Sequence, residues 1–238
     1  MTRTPVQNPT GRHGRPAYDR DSLLEVAVVV FNERGYDGTG MEELARRLGL
    51  SKSSIYHHVS GKEELLELAV GRALDALFAV LDEDQDPGST APDATATARM
   101  KRIVHRSVEV LAAELPYVTL LLRLHGNSEV EQHALARRRE FDHRVAELMA
   151  QAATEGGIRD DIAPHLAGRL LFGTVNSLVE WYSPDRGLPV ETVADALTAI
   201  LFDGLHGQPA SCPGPAVDIP EHRGQTDAER MAGPLTKG

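Results

Sequence analysis

At 238 residues, with 41% apolar and 25% charged residues, the chain is long enough to bury a core and too ordinary in composition for wholesale disorder. A single cysteine, Cys212, excludes an internal disulfide framework and a multi-cysteine zinc site, and the longest apolar run, Val26–Phe31, is far too short to span a bilayer. The net charge of −10 argues against a general nucleic-acid coat protein, yet residues 1–20 hold Arg3, Arg12, Arg15 and Arg20 against Asp19 alone.

In chain order, residues 1–20 are rich in Gly, Pro, Thr and Arg and read as a basic arm without period. They lack the apolar segment of a secretory signal, so a cytoplasmic location is expected. The first helix starts at a capping box, Ser22 with Glu25, carries one apolar stripe (Leu24, Ala27, Val28, Phe31) and ends at Gly35. A second box, Thr39 with Glu42, opens a helix with Met41, Leu44, Ala45 and Leu48 on its inner face, closed by Gly49 in a position suited to a left-handed cap. After Leu50 comes Ser51–Val59, a short polar helix anchored only by Ile55 and Val59. A third box, Ser60 with Glu63, opens a long helix to about Asp82. Residues 83–95 form a loop, and helices follow at about 96–114, 117–125, 129–155, 163–183 and 190–206. From Gly207 Pro and Gly recur without period, and a disordered tail is expected at 207–238. No segment alternates as a strand, so the fold class is all-α with about nine helices. The expected division is the arm 1–20, a DNA-binding unit 21–66, an effector and dimerisation domain 67–206, and the tail.

Two short helices joined through Gly49 and followed at once by a capped long helix make a helix-turn-helix. Its second helix must show polar groups to the major groove while one face holds it in place. Ser51, Lys52, Ser53, Ser54, Tyr56, His57 and His58 are hydrogen-bonding types, and only Ile55 and Val59 look inward, so this helix reads as an exposed recognition surface rather than packing material.

The stretch GYDGTGMEELARRLGLSKSSIYHHVSGKEELLELAV closely resembles the DNA-binding domain of the TetR family of bacterial regulators, over about residues 20–70. The resemblance implies a homodimer whose two units read successive half-sites of a palindromic operator, mostly as a repressor released by a small molecule. It places Ser51, Lys52, Ser53 and Ser54 near bases, and Tyr56, His57 and Lys62 on phosphates, with Thr39 and Gly40 at the start of the second helix. Two departures stand out: Gly40 replaces a common Ser or Thr, removing one hydroxyl–phosphate contact, and Val59 replaces the usual Phe. Residues 21–70 carry five basic against nine acidic side chains. Help from Arg12, Arg15 and Arg20 in the minor groove is therefore expected, against the alternative of a leader without a role.

On the last two helices Leu166, Leu170, Gly173, Ser177, Leu178 and Trp181, then Val193, Leu197, Ile200 and Leu201, form apolar stripes. Alone they fit plain core or half of a four-helix interface; the resemblance favours the interface. The segment around Gly157-Ile158-Arg159-Asp161 and Trp181-Tyr182 resembles the branch of the family that senses acyl-CoA thioesters. At positions that line the ligand in that branch, Phe172 and Asn176 stand in place of Arg and an aromatic residue, so both are expected in the pocket but the ligand is not carried over. An effector pocket is expected among Leu77, Phe78, Val104, Val108, Tyr117, Leu121, Leu124, Phe141 and Val145, each equally at home in a core. The cluster Arg137, Arg138, Arg139 and Arg144 either holds a CoA phosphate or forms a solvated face. Arg123, inside the apolar run TLLLRLHG, would need an anionic partner if buried. No cofactor or metal is expected. Catalysis is disfavoured because none of the histidines falls in HExxH and no GxSxG or phosphate loop occurs. Two further readings stay open: a helical scaffold that no longer reads DNA, and an activator of the same fold.

Overall fold

The computed structural model describes residues 19–85 and 95–204, all within one unit of the chain. The order is α1 (Arg20–Arg34), α2 (Met41–Leu48), α3 (Lys52–Tyr56), α4 (Lys62–Gln85), α5 (Ala96–Ala113), α6 (Leu115–Leu122), α7 (Glu129–Thr154), α8 (Pro164–Asn176), α9 (Leu178–Trp181), a 3-10 turn at Pro184–Arg186, and α10 (Val190–Asp203). No strand occurs among the described residues, as the absence of alternating segments predicts.

The ends of the helices correct the sequence reading in detail. Asp19, not Ser22, caps α1: its carboxylate accepts the Ser22 backbone N–H at 2.8 Å and the Ser22 hydroxyl at 2.7 Å. At α2 the cap is Gly40, with no side-chain bond, while Thr39 is turned inward and donates its hydroxyl to the Gly35 carbonyl at 2.8 Å. Glu64 rather than Glu63 answers Ser60, accepting from both its backbone N–H (2.6 Å) and its hydroxyl (2.8 Å). The helix expected over 163–183 is broken at Ser177, whose hydroxyl donates to the Thr174 carbonyl at 2.7 Å and so competes with the regular ladder.

Between α2 and α3 the chain reverses at Gly49, whose φ of 64° lies where a side chain would be strained. Ser51 then caps α3 by accepting from the Ser54 N–H. Leu23, Val28, Phe31, Leu44, Ile55, Leu65 and Leu66 close a core beneath this unit. Behind it α4 packs on α5, α6 and α7, α7 on α8, and α5 on α10. A second glycine is fixed by close approach: a Cβ on Gly157 would sit 2.1 Å from the Thr97 hydroxyl at the start of α5.

The joint between the two parts is made by α6. The Asn32 amide of α1 donates to the Pro116 carbonyl at 2.8 Å, and Arg123 donates to the Asn32 carbonyl at 3.1 Å. Arg72 of α4 donates to Glu114 at 2.6 and 2.9 Å and stacks on the Tyr117 ring. Arg123 is thus bonded to a backbone carbonyl at the surface, not buried in search of an anion. It ends α6 instead of lying inside it, which is why an apolar neighbourhood in sequence did not bury it.

Candidate nucleic-acid interface and effector cavity

The recognition helix lies as its residue pattern demands. Ile55 and Val59 are buried, whereas Ser51, Lys52, Ser53, Tyr56, His57 and His58 are exposed, Tyr56 at 47%. Ser51, Ser53 and Ser54 share a chain of hydroxyl contacts, 2.9 Å from Ser51 to Ser53 and 2.7 Å from Ser51 to Ser54. Beside α3 an open groove of about 730 Å³ is lined by Tyr36, Thr39, Gly40, Lys52, Tyr56, Gly61 and Lys62, together with the carboxylates of Asp37, Glu42 and Glu63. Two helix starts, those of α2 and α4, therefore edge the groove, and free N–H groups at such starts favour an anion.

Two predicted contacts border the groove but are already engaged within the subunit. Thr39 is 1% exposed, and its hydroxyl is bonded to Gly35 in the turn after α1. Lys62 donates to the carbonyls of Tyr36 (3.0 Å) and Thr39 (3.1 Å) and sits 4.2 Å from the centre of the Tyr36 ring. It is a strut between α4 and the turn before α2. Arg20 is paired with Glu64, and Arg12 and Arg15 lie outside the described residues.

Sequence reasoning missed Tyr36 and Glu42. Tyr36 packs edge-on against Phe31 at 5.2 Å, and burial pushes its hydroxyl up to about 12, keeping it a neutral donor at any working pH. Glu42, in the first turn of α2, binds Lys52 of the recognition helix. The hydrogen bond from Lys52 holds the Glu42 carboxyl below its ordinary value and the Lys52 ammonium above its own. The other cations of this unit are also engaged: Arg46 and Arg34 with Glu43, and Arg47 with Glu33. The only signal for Glu42 is its place in the first turn, which fits a capping partner for Thr39 equally well.

The second site is an apolar cavity of about 40 Å³ enclosed by α4, α5, α6, α7 and α8. Leu77, Leu121, Phe141, Phe172 and Asn176 of the expected pocket line it, and Ser107, Arg138 and Asp142 join them. Phe141 stands edge-on between Phe78 (5.9 Å) and Phe172 (5.0 Å). Val104, Val108, Tyr117 and Val145 are buried but do not line the cavity, and neither do Phe78, Leu124 or Arg144. Arg144 pairs with Asp82 and Arg137 with Asp75, both flanking the Phe78 ring, so these two arginines are committed within the subunit. The protein bulk around Asp142 raises its carboxyl, against the pull of Arg138 and Arg169.

Of the apolar stripes on the last helices, one side faces inward. Leu178, Val193 and Leu197 are buried within the subunit and are core, not free surface. Leu166, Leu170, Trp181 and Ile200 are exposed, Leu170 at 61%, and Gly173 and Ser177 lie open beside them; Leu201 is half-buried. Four of the six large apolar side chains exposed among the described residues thus lie on α8, α9 and α10.

Two family models match the chain. Residues 23–69 match that of bacterial regulatory proteins of the tetR family, and residues 93–205 match a tetracyclin repressor-like C-terminal domain. A TetR-family transcriptional regulator from Streptomyces coelicolor, solved as a crystal structure, is 57% identical, with a TM-score of 0.72 over 78% of this chain and 91% of that one. The transcriptional repressor KstR2 of Rhodococcus jostii is 29% identical over 214 residues, 86% of this chain and 98% of its own. AibR, solved with isovaleryl coenzyme A and operator DNA, is 27% identical, with a TM-score of 0.63 over 77% of this chain and 97% of its own.

Proposed function

The chain belongs to the TetR family of bacterial transcriptional regulators, and from that premise we propose that it is a cytoplasmic repressor released from a palindromic operator by an acyl-CoA thioester. The reading rests on one observation above all: a helix of polar side chains, pinned by Ile55 and Val59 alone, stands exposed beside the anion-favouring starts of α2 and α4. Lys52 and Tyr56 would supply phosphate or base-edge contacts, and the serines at the start of α3 would supply adaptable hydrogen bonds to bases. No catalytic role is assigned to any residue, and the scaffold reading gives way to that of a regulator.

Two subunits would join through the exposed apolar faces of α8, α9 and α10, centred on Leu166, Leu170, Trp181 and Ile200. That arrangement presents α3 in duplicate to major grooves roughly 34–36 Å apart. The acyl-thioester class is supported by AibR, crystallised with isovaleryl coenzyme A. Small-molecule sites run to roughly 300–1,000 Å³, so a cavity of about 40 Å³ has to open before it holds such a ligand. Opening moves Val118, Leu121 and Leu122, the cavity-facing residues of α6, while the two ends of the same element are bonded to Asn32 of α1. A ligand that binds the opened form more tightly than the closed one shifts the population away from the DNA-competent pose.

The test has two stages. The purified full chain is used to select operator fragments from its host's genome, and a series of acyl-CoA thioesters is then titrated into the complex. Selection of one palindromic sequence and its release by a subset of thioesters is the expected result. Failure to enrich any sequence would remove the DNA-reading role, and operator release by none of the thioesters would remove the effector class.

A further inference from the structure

We propose that Ser107 sets effector specificity: its hydroxyl, in the wall of the closed cavity, selects a ligand that carries a hydrogen-bonding oxygen within its apolar part. This rests on the reading of that cavity as the effector site, and it narrows the ligand from an acyl group in general to an oxygenated one. Ser107 is 0% exposed, and its Oγ has no hydrogen-bond partner among the described residues. A helical hydroxyl ordinarily satisfies itself on the carbonyl one turn earlier. Thr119, Thr154 and Thr174 of this protein do so, donating to Leu115, Ala150 and Leu170 at 2.7, 2.9 and 3.0 Å. At Ser107 no such bond forms, and the side chain instead borders the apolar part of the space, walled by Leu74, Leu111, Leu121, Phe172 and Val175.

A buried, unpaired hydroxyl is costly, and the cost is recovered only when a partner arrives. Asn32, Thr97 and Thr198 also hold buried polar atoms without partners, but none of them borders this cavity. The remaining polar groups of the wall are graded outward. The half-buried Asn176 approaches from α8, and Arg138 and Asp142 lie on α7. Arg137 and Arg144 are held in ion pairs with Asp75 and Asp82, whereas the charge of Arg138 acts on Asp142 beside it in the same wall, a pairing that an anionic end of the ligand would have to share. The wall, once opened, thus fits a molecule with a charged end toward Arg138, an apolar body against Phe141 and Phe172, and a carbonyl or hydroxyl reaching Ser107.

The test compares the full-length wild type with Ser107→Ala, using straight-chain acyl-CoA thioesters and their oxo and hydroxy counterparts of the same length. Wild type should release operator at about tenfold lower concentration of the best oxygenated member than of its plain partner, the discrimination expected where a polar site loses its hydrogen bond. Ser107→Ala should bring the two within about twofold, while its operator affinity and its melting temperature without ligand stay at or above those of the wild type. Retention of the tenfold preference in Ser107→Ala, or a wild type that prefers the plain chains throughout, overturns the assignment. Should no thioester release the wild type, the effector class fails separately, and Ser107 is then judged on thermal shifts with cyclohexanone against methylenecyclohexane. Stabilisation by the ketone alone, abolished in Ser107→Ala, keeps the assignment; equal shifts, or none with either probe, end it.

Discussion

The DNA-reading unit and the domain behind it both carry paired surface cations, and differ in what lies at the site each would use. In the first, cations are exposed and already paired: Lys52 with Glu42, Arg46 and Arg34 with Glu43, Arg47 with Glu33, and Arg20 with Glu64. In the second, the notable polar group is Ser107, buried and unpaired in a space too small for an effector. Exposed ion pairs contribute little and are readily exchanged, so under the proposed function the first region would meet DNA by swapping carboxylates for phosphates without refolding. The second responds only by repacking aromatic and aliphatic side chains, and packed interiors switch between discrete arrangements rather than deform smoothly. Under the proposed function this difference would let one region read and the other gate.

The largest effect is expected where a buried ring is removed. Phe141→Ala removes the ring between Phe78 and Phe172 and should lower stability by about 3–5 kcal/mol, the usual range for such a cavity. Chemical denaturation measures it, and a loss below about 1 kcal/mol would mean that the cavity wall is already loose. Next, replacing Lys52 and Tyr56 together with Ala should weaken operator binding on the order of 100-fold, since each side chain supplies an interaction of roughly 1–3 kcal/mol, with an unchanged circular dichroism spectrum. Full affinity in that variant would strip α3 of its role. A smaller change of opposite sign is expected for Glu42→Gln: it frees Lys52 and removes a carboxylate from the groove, so affinity should rise severalfold in an anisotropy titration. The smallest effect concerns Arg12 and Arg15. Deleting residues 1–18 should reduce the slope of log affinity against log salt by roughly one for each phosphate that the arm neutralises, and an unchanged slope would give the arm no part in binding.

Much of the molecule is legible in the chain itself, and the misreadings have physical causes. Two inward residues in the nine of Ser51–Val59 specify that segment's exposure, although only Lys52–Tyr56 of it is helical and Val59 anchors the turn that follows. Gly49 likewise announces a left-handed turn, because few other residues tolerate φ near 64°. Caps are less certain, since Asp19, Ser22 and Glu25 follow one another at intervals of three and either of the first two fits the pattern; backbone geometry decides, and Asp19 holds the cap. Apolar stripes state that a face is covered without stating by what. Leu178, Val193 and Leu197 turn into the subunit, while Leu166, Leu170, Trp181 and Ile200 turn out of it. The cavity is the least legible part, for it depends on which of many apolar residues from five helices fail to meet. Of the residues expected to line it, only Leu77, Leu121, Phe141, Phe172 and Asn176 do so. Ser107 carries no pattern at all; it is conspicuous only once its missing hydrogen bond is seen.

The central claim is that a two-fold partner presents a second copy of α3 at the spacing of successive major grooves. Double electron–electron resonance tests it directly, with a spin label at the exposed His58 introduced as His58→Cys in a Cys212→Ser background. With the selected operator bound, one narrow distance distribution at roughly 34–36 Å, allowing for the label arms, is predicted. A sample without dipolar modulation, or one whose separation matches no integral number of helical turns, would contradict the account.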